Sequence, residues 1–240
     1  MENASSGYAH PELLVESTWL AEHLDDTGVT VIDCDSVERY RRAHISSAVG
    51  LPVHHYLKAQ TEDPRDYGSH VMGPDAFSEL IGGLGVNGNG VIVLYDDAGG
   101  LNAARVWWVM NYYGLHSVKL LNGGWGKWIA EQKPISVIEP QVSATTYMPV
   151  TNPDYLCTLD YALDHVGDER VIFWDVRSQS EWTGENTRGN QRSGHIPGAV
   201  HLEWLNFITN DLQKTFKPAQ EMRVLLSEAG VFPDREVITY

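Results

Sequence analysis

A chain of 240 residues makes one large or two small domains, at about 100–200 residues per domain. With 42% hydrophobic residues it can build a core, and no apolar run approaches the roughly 18 residues of a membrane span. A formal charge of −15 repels nucleic-acid phosphates and anionic membranes, which excludes both as general partners and requires any anion site to be a local basic patch.

Met1 to Gly7 is polar and lacks the apolar stretch of a signal peptide, and Asn3-Ala4-Ser5 fits a glycosylation acceptor only at the level expected by chance. Val29 to Ile32 reads as a buried strand, Glu38 to Ala43 as a short charged helix and Ala48 to Pro52 as a second strand. Pro74 opens a helix through Ile81 that stops at Gly82-Gly83. Val91 to Tyr95 is a fully apolar strand, Asn102 to Tyr113 a helix ended by Gly114, Val118 to Leu121 a strand and Trp125 to Gln132 a helix before Pro134. Strands alternating with helices predict an α/β fold, a parallel sheet flanked by helices on both faces. Residues 136–153 hold scattered Pro, Ser and Thr without helical periodicity and read as a linker.

The second half repeats the first. Val171 to Trp174 leads into Asp175 as Val29 to Ile32 leads into Asp33. Gly194-His195-Ile196-Pro197-Gly198-Ala199-Val200 answers Ala43-His44-Ile45-Ser46-Ser47-Ala48-Val49, and Pro218 answers Pro74. Val237-Ile238-Thr239-Tyr240 answers Ile92-Val93-Leu94-Tyr95. A repeat of this size predicts two copies of one domain, at 9–135 and 154–240, with the second copy stopping at the end of a central strand.

Asp175-Val176-Arg177, the Gly194–Ala199 stretch, Leu121-Asn122-Gly123-Gly124-Trp125 and the Ala104-Arg105-Val106-Trp107-Trp108 helix together resemble the rhodanese family, in its tandem thiosulfate and 3-mercaptopyruvate sulfurtransferases. The resemblance implies two rhodanese-like domains, the first inactive and the second of catalytic type. It implies a nucleophilic cysteine just after the strand that ends in Tyr240, opening a loop whose backbone N–H groups and helix N-terminus polarise the thiol. That thiolate would take a sulfane sulfur from a small anionic donor and pass it to cyanide or a thiol, with no cofactor. No residue of the chain itself is then expected to be catalytic, and the 240-residue chain is expected to be inactive. In the first copy the matching loop is Asp96 to Leu101, and Asp96 stands at the nucleophile's place, where a carboxylate cannot carry sulfur.

Arg188 and Arg192 lie between Asp175 and His195, and the resemblance places Arg188 at a substrate-anion position. The other reading is a solvated loop in which Arg188 pairs with Glu185 or Glu181; Glu181 stands where many eukaryotic relatives have a second substrate arginine. Asp175, Arg177 and His195 are expected to organise the site rather than react. Cys34 and Cys157 sit at the wrong places for the nucleophile and read as buried small hydrophobes, in a cytoplasmic protein without disulfides; Thr158 reads as a helix N-cap. Gly83 to Gly88 matches a dinucleotide fingerprint but follows a helix and precedes a strand, which is the wrong context, and the histidines lack metal-ligand spacing. The rival function is a non-catalytic rhodanese-like binding module.

Overall fold

The computed structural model describes residues 7–59 and 71–240; the Asn3-Ala4-Ser5 pattern lies outside them. The chain forms two compact units. One comprises His10–Tyr155 and Asn210–Thr215, the other 7–9, Leu156–Thr209 and Phe216–Tyr240.

The first unit contains strands β1 (Leu14–Val15), β2 (Val29–Asp33), β3 (His44–Ile45), β4 (Val49–Gly50), β5 (Val91–Tyr95), β6 (Val118–Leu121) and β7 (Ile135–Ser136). Five of them make a parallel sheet in the order β1-β6-β5-β2-β4, and β3 pairs antiparallel with β7. Its helices are α1 (Ser17–Glu22), α2 (Val37–Arg42), α3 (Pro74–Gly83), α4 (Leu101–Tyr112) and α5 (Gly124–Ala130). The runs Val-Thr-Val-Ile-Asp and Val-Ile-Val-Leu-Tyr become central strands because β-branched and aromatic side chains pack on both faces of a pleated sheet. Successive residues then serve opposite cores. Ile32 and Leu94 pack with Phe77 and Ile81 of α3 and Val106 and Met110 of α4. Val31 and Val93 pack with Leu20 of α1 and Trp128 of α5. Each large side chain buried this fully contributes about 1.5–3 kcal/mol.

The expected strand at Ala48 to Pro52 shortens to Val49–Gly50. Pro52 has no N–H for a ladder, and Gly50 lies against the Tyr40 ring, where a side chain would collide. The stretch read as a linker is tied down: Thr145 donates its N–H to Gly82 (3.0 Å), Val150 to Tyr113 (3.1 Å) and Asn152 to Tyr112 (2.7 Å). A backbone with these partners is an ordered strap along α3 and α4, not a free tether.

The second unit holds α6 (Leu159–His165), β8 (Val171–Asp175), α7 (Gln179–Trp182), β9 (Val200–His201), α8 (Ala219–Glu228) and β10 (Glu236–Thr239). Thr158 caps α6 by accepting the Tyr161 N–H, and Pro218, the expected first residue of a helix, is instead the N-cap of α8, which starts at Ala219. The sheet is parallel in the order β10-β8-β9, which repeats β5-β2-β4. No helix among the described residues is long and apolar enough to cross a membrane.

Candidate anion-cradle site

The loop after β5 is folded around its own first residue. Asp96 is 1% exposed. Its Oδ1 accepts the N–H groups of Ala98 (2.8 Å) and Gly100 (2.8 Å), and its Oδ2 those of Asn102 (2.7 Å) and Ala103 (2.8 Å). The last two belong to the first turn of α4, whose orphan donors and dipole favour an anion. Gly100, at φ 90°, supplies the left-handed residue that turns the loop into α4. The Leu121–Trp125 motif closes the other side. Trp125 donates its N–H to the Asp96 carbonyl (2.9 Å), and a side chain on Gly124 would strike that same oxygen. The loop is thus more than a plain strand-to-helix turn: it is a nest of convergent N–H groups with a carboxylate as its resident anion.

At the carboxyl ends of β5 and β10 the two units carry the same framework. In the first, the Tyr95 hydroxyl donates to Asp33 Oδ2 (2.6 Å) and accepts the Ile45 N–H (3.1 Å). In the second, the Tyr240 hydroxyl accepts the Ile196 N–H (3.0 Å) and hydrogen-bonds Asp175. The copies differ two residues further on, where Asp35 answers Arg177. Arg177 grips Asp175 with Nε (2.9 Å) and Nη2 (2.5 Å), and Nη2 also donates to the Gly194 carbonyl (2.9 Å). Burial pushes Asp175 up, but the hydrogen bonds and charge of Arg177 outweigh it and hold the carboxyl below its usual range. Asp33 has no such partner, and burial raises it to about 6 despite the Tyr95 hydrogen bond.

That difference predicts opposite pH behaviour. A carboxyl raised in the folded state binds its proton more tightly there than in the unfolded chain, so it opposes folding as pH rises from the unfolded value through the folded one. Between pH 4 and 6 the first unit is expected to lose on the order of 3 kcal/mol through Asp33. Asp33→Asn should flatten that fall, measured as urea stability against pH; an unchanged slope would assign it elsewhere.

The loop between α7 and β9 distinguishes the second unit. His44 Nδ1 donates to the Tyr40 carbonyl four residues back (2.8 Å) and stacks on its ring at 4.1 Å. His195 Nδ1 donates to the Trp182 carbonyl thirteen residues back (2.9 Å) and stacks on its ring at 3.4 Å. The closure is the same, with a longer loop inserted between its ends. That insertion carries Arg188 and Arg192, both exposed. Arg188 Nε pairs with Glu181 Oε1 at 2.9 Å, which is the ion-paired reading of this arginine. Arg192 makes no ion pair among the described residues. Arg177, through Gly194, joins Asp175 to the segment that bears His195.

Cys34 is buried and burial pushes its thiol well up, which suits an inert core residue. Cys157 corrects the expectation of burial: it is exposed, because it precedes the capped first turn of α6 instead of lying on a strand. Among the described residues no His, Cys, Asp and Glu cluster could hold a metal ion. Sequence reasoning missed the Tyr–Asp framework and the Trp182–His195 stack, although the recurrence of Asp33, Tyr40 and Tyr95 as Asp175, Trp182 and Tyr240 was a usable signal.

A model of the rhodanese-like domain matches residues 16–131 and 158–240. The sulfur carrier protein TtuD of Thermus thermophilus is 33% identical over 248 residues, covering 98% of this chain and 84% of that protein. The thiosulfate sulfurtransferase of Azotobacter vinelandii is 29% identical, covering 97% and 83%. The crystal structure of SseA from Escherichia coli, described under the fold and mechanism of 3-mercaptopyruvate sulfotransferases, superposes with a TM-score of 0.81 at 23% identity, over 95% of this chain and 87% of that one.

Proposed function

The chain belongs to the rhodanese-like family, and from that premise we propose that its second unit is the sulfur-transferring copy and its first an inactive one, at 154–240 and 9–135, with 136–153 between them. The observation that carries this reading is the filled cradle. Where the first copy holds an anion among backbone N–H groups, that anion is the Asp96 carboxylate, which has no sulfur to give or take. In the second copy the counterpart of Asp96 falls on the position after Tyr240, and a cysteine there would have its thiolate stabilised by the same arrangement. The thiolate attacks the sulfane sulfur of thiosulfate; the sulfur–sulfur bond breaks and sulfite leaves with its electron pair. The persulfide's outer sulfur then bonds to cyanide, forming thiocyanate and restoring the thiolate. With 3-mercaptopyruvate the thiolate attacks the donor sulfur, the carbon–sulfur bond breaks and pyruvate leaves as its enolate, which takes up a proton; a thiol acceptor takes the outer sulfur as its own persulfide and restores the thiolate. Arg188 and Arg192 draw the donor anion, and Asp175, Arg177 and His195 hold the loop in place.

The test is thiocyanate production from thiosulfate and cyanide. Residues 1–240 alone are expected to give none, and a chain carrying the native residues beyond Tyr240 should turn over. Turnover by residues 1–240, or a residue other than cysteine after Tyr240, would refute the assignment and favour a binding module.

A further inference from the structure

The Gly83 to Gly88 stretch that matches a dinucleotide fingerprint runs on through Asn89-Gly90 into β5, so the turn between α3 and β5 carries two Asn-Gly pairs in succession. A third pair, Asn122-Gly123, follows β6. An asparagine before glycine is open to attack on its own side chain, because no Cβ on the next residue shields the backbone nitrogen from the asparagine Cγ. The pairs differ in what holds them. Asn122 is 8% exposed, and its Nδ2 donates to Glu16 Oε1 (2.8 Å). Asn87 is exposed, but its Oδ1 accepts the Asn89 N–H (2.9 Å), which fixes the amide in a local turn. Asn89 is exposed, and among the described residues neither its side-chain amide nor the Gly90 N–H has a hydrogen-bond partner. Gly90 is fixed by packing. It sits at φ 87°, and a Cβ on it would come 2.3 Å from the Gly28 carbonyl oxygen, which accepts the Val91 N–H (2.8 Å) as β5 begins. The entry to β5 therefore requires a glycine behind the one exposed asparagine of these pairs whose amide is unheld.

We propose that Asn89 is a spontaneous deamidation site that becomes an isoaspartyl link, the chemistry that a protein-isoaspartate methyltransferase recognises. The Gly90 nitrogen gives up its proton and attacks Asn89 Cγ. The new C–N bond closes a succinimide ring, the Cγ–Nδ2 bond breaks, and Nδ2 leaves as ammonia, taking up the proton that Gly90 lost. Water then opens the ring. Attack at Cγ leaves an ordinary aspartyl residue; attack at the α-carbonyl leaves the main chain running through the side-chain carbon, with a free α-carboxylate. Nothing is oxidised or reduced, and water is the only co-reactant. Asparagine is a thermally labile residue type, and an exposed turn that opens at little cost gives its side chain the freedom the ring closure needs.

The experiment ages the 240-residue chain in mildly alkaline buffer. Peptide mapping with fragmentation reads each asparagine separately, and methyl transfer from labelled S-adenosylmethionine by a protein-isoaspartate methyltransferase reads the isoaspartyl product. Asn89 is expected to convert at a rate within about tenfold of that in a free peptide of residues 84–94, as for a turn with almost no opening cost. Asn87 should lag it by about fivefold, the worth of one hydrogen bond, and Asn122 by more. Asn89→Gln, at an exposed side chain without partners, should keep the fold and lower methyl uptake by about fivefold. Conversion of Asn87 or Asn122 ahead of Asn89, an Asn89 rate more than about tenfold below the peptide's, or methyl uptake that Asn89→Gln leaves unchanged overturns the proposal.

Discussion

Asp96→Ala is expected to cost the first unit about 4 kcal/mol. The carboxylate is the acceptor for the N–H groups of Ala98, Gly100, Asn102 and Ala103, two of them buried in the first turn of α4. Hydrogen bonds to a charged group contribute roughly 1.5–3 kcal/mol each and are not additive, and methyl in place of carboxylate leaves all four donors without an acceptor. Asp96→Asn retains one carbonyl oxygen and turns an amide NH2 towards N–H donors, so about half the loss is expected. Urea unfolding followed through amide exchange of β2 and β5 would measure both. A loss below about 1 kcal/mol for alanine would mean that water replaces the carboxylate and that the nest adds little to stability.

Arg177→Met is expected to cost the second unit about 3 kcal/mol, because it strands the fully buried Asp175 charge. The pH dependence gives the sharper test. With Arg177 present, Asp175 is held low, so its contribution is in place above the unfolded carboxyl value and is lost as pH falls through the lower folded value. Without Arg177, Asp175 should behave like Asp33, whose environment lacks the arginine: raised by burial, and destabilising as pH climbs from about 4 to 6. In that window the Asp175 contribution should be flat in the parent and fall with rising pH in the variant. A variant contribution as flat as the parent's would show that the Tyr240 hydrogen bond, not Arg177, sets the charge state of Asp175.

The central strands and longer helices were legible because composition alone specifies them. Val91–Tyr95 and Val118–Leu121 appear at their predicted limits, since apolar runs bounded by Gly and polar residues admit few other placements. α7 was not legible. Four residues have no periodicity to read, and this helix depends on the Ser178–Glu181 box and the stacking of Trp182 on His195. At the site, the repeat singled out Asp96 and Asp175, whereas Arg177, which Asp35 answers in the first copy, was read from the family resemblance alone. The cradle was expected only through the family resemblance, because its donors are backbone N–H groups that any residue type except proline can supply. The roles of Tyr95 and Tyr240 were hidden for a related reason: as the last apolar residues of strand-like runs they read as core, and only the three-dimensional register brings their hydroxyls to an aspartate.

The two copies close the α-helix-to-strand corner alike, through Tyr40 with His44 and through Trp182 with His195, although one spans four residues and the other thirteen. An aromatic–imidazole clasp that tolerates such a difference makes the intervening stretch an interchangeable cassette. Its length and charge can drift under selection for different cargo while the fold beneath keeps its stability, since the fastening lies at the ends and not within the insert. A duplicated domain with such a corner can specialise one copy for chemistry and keep the other as scaffold without redesigning either core.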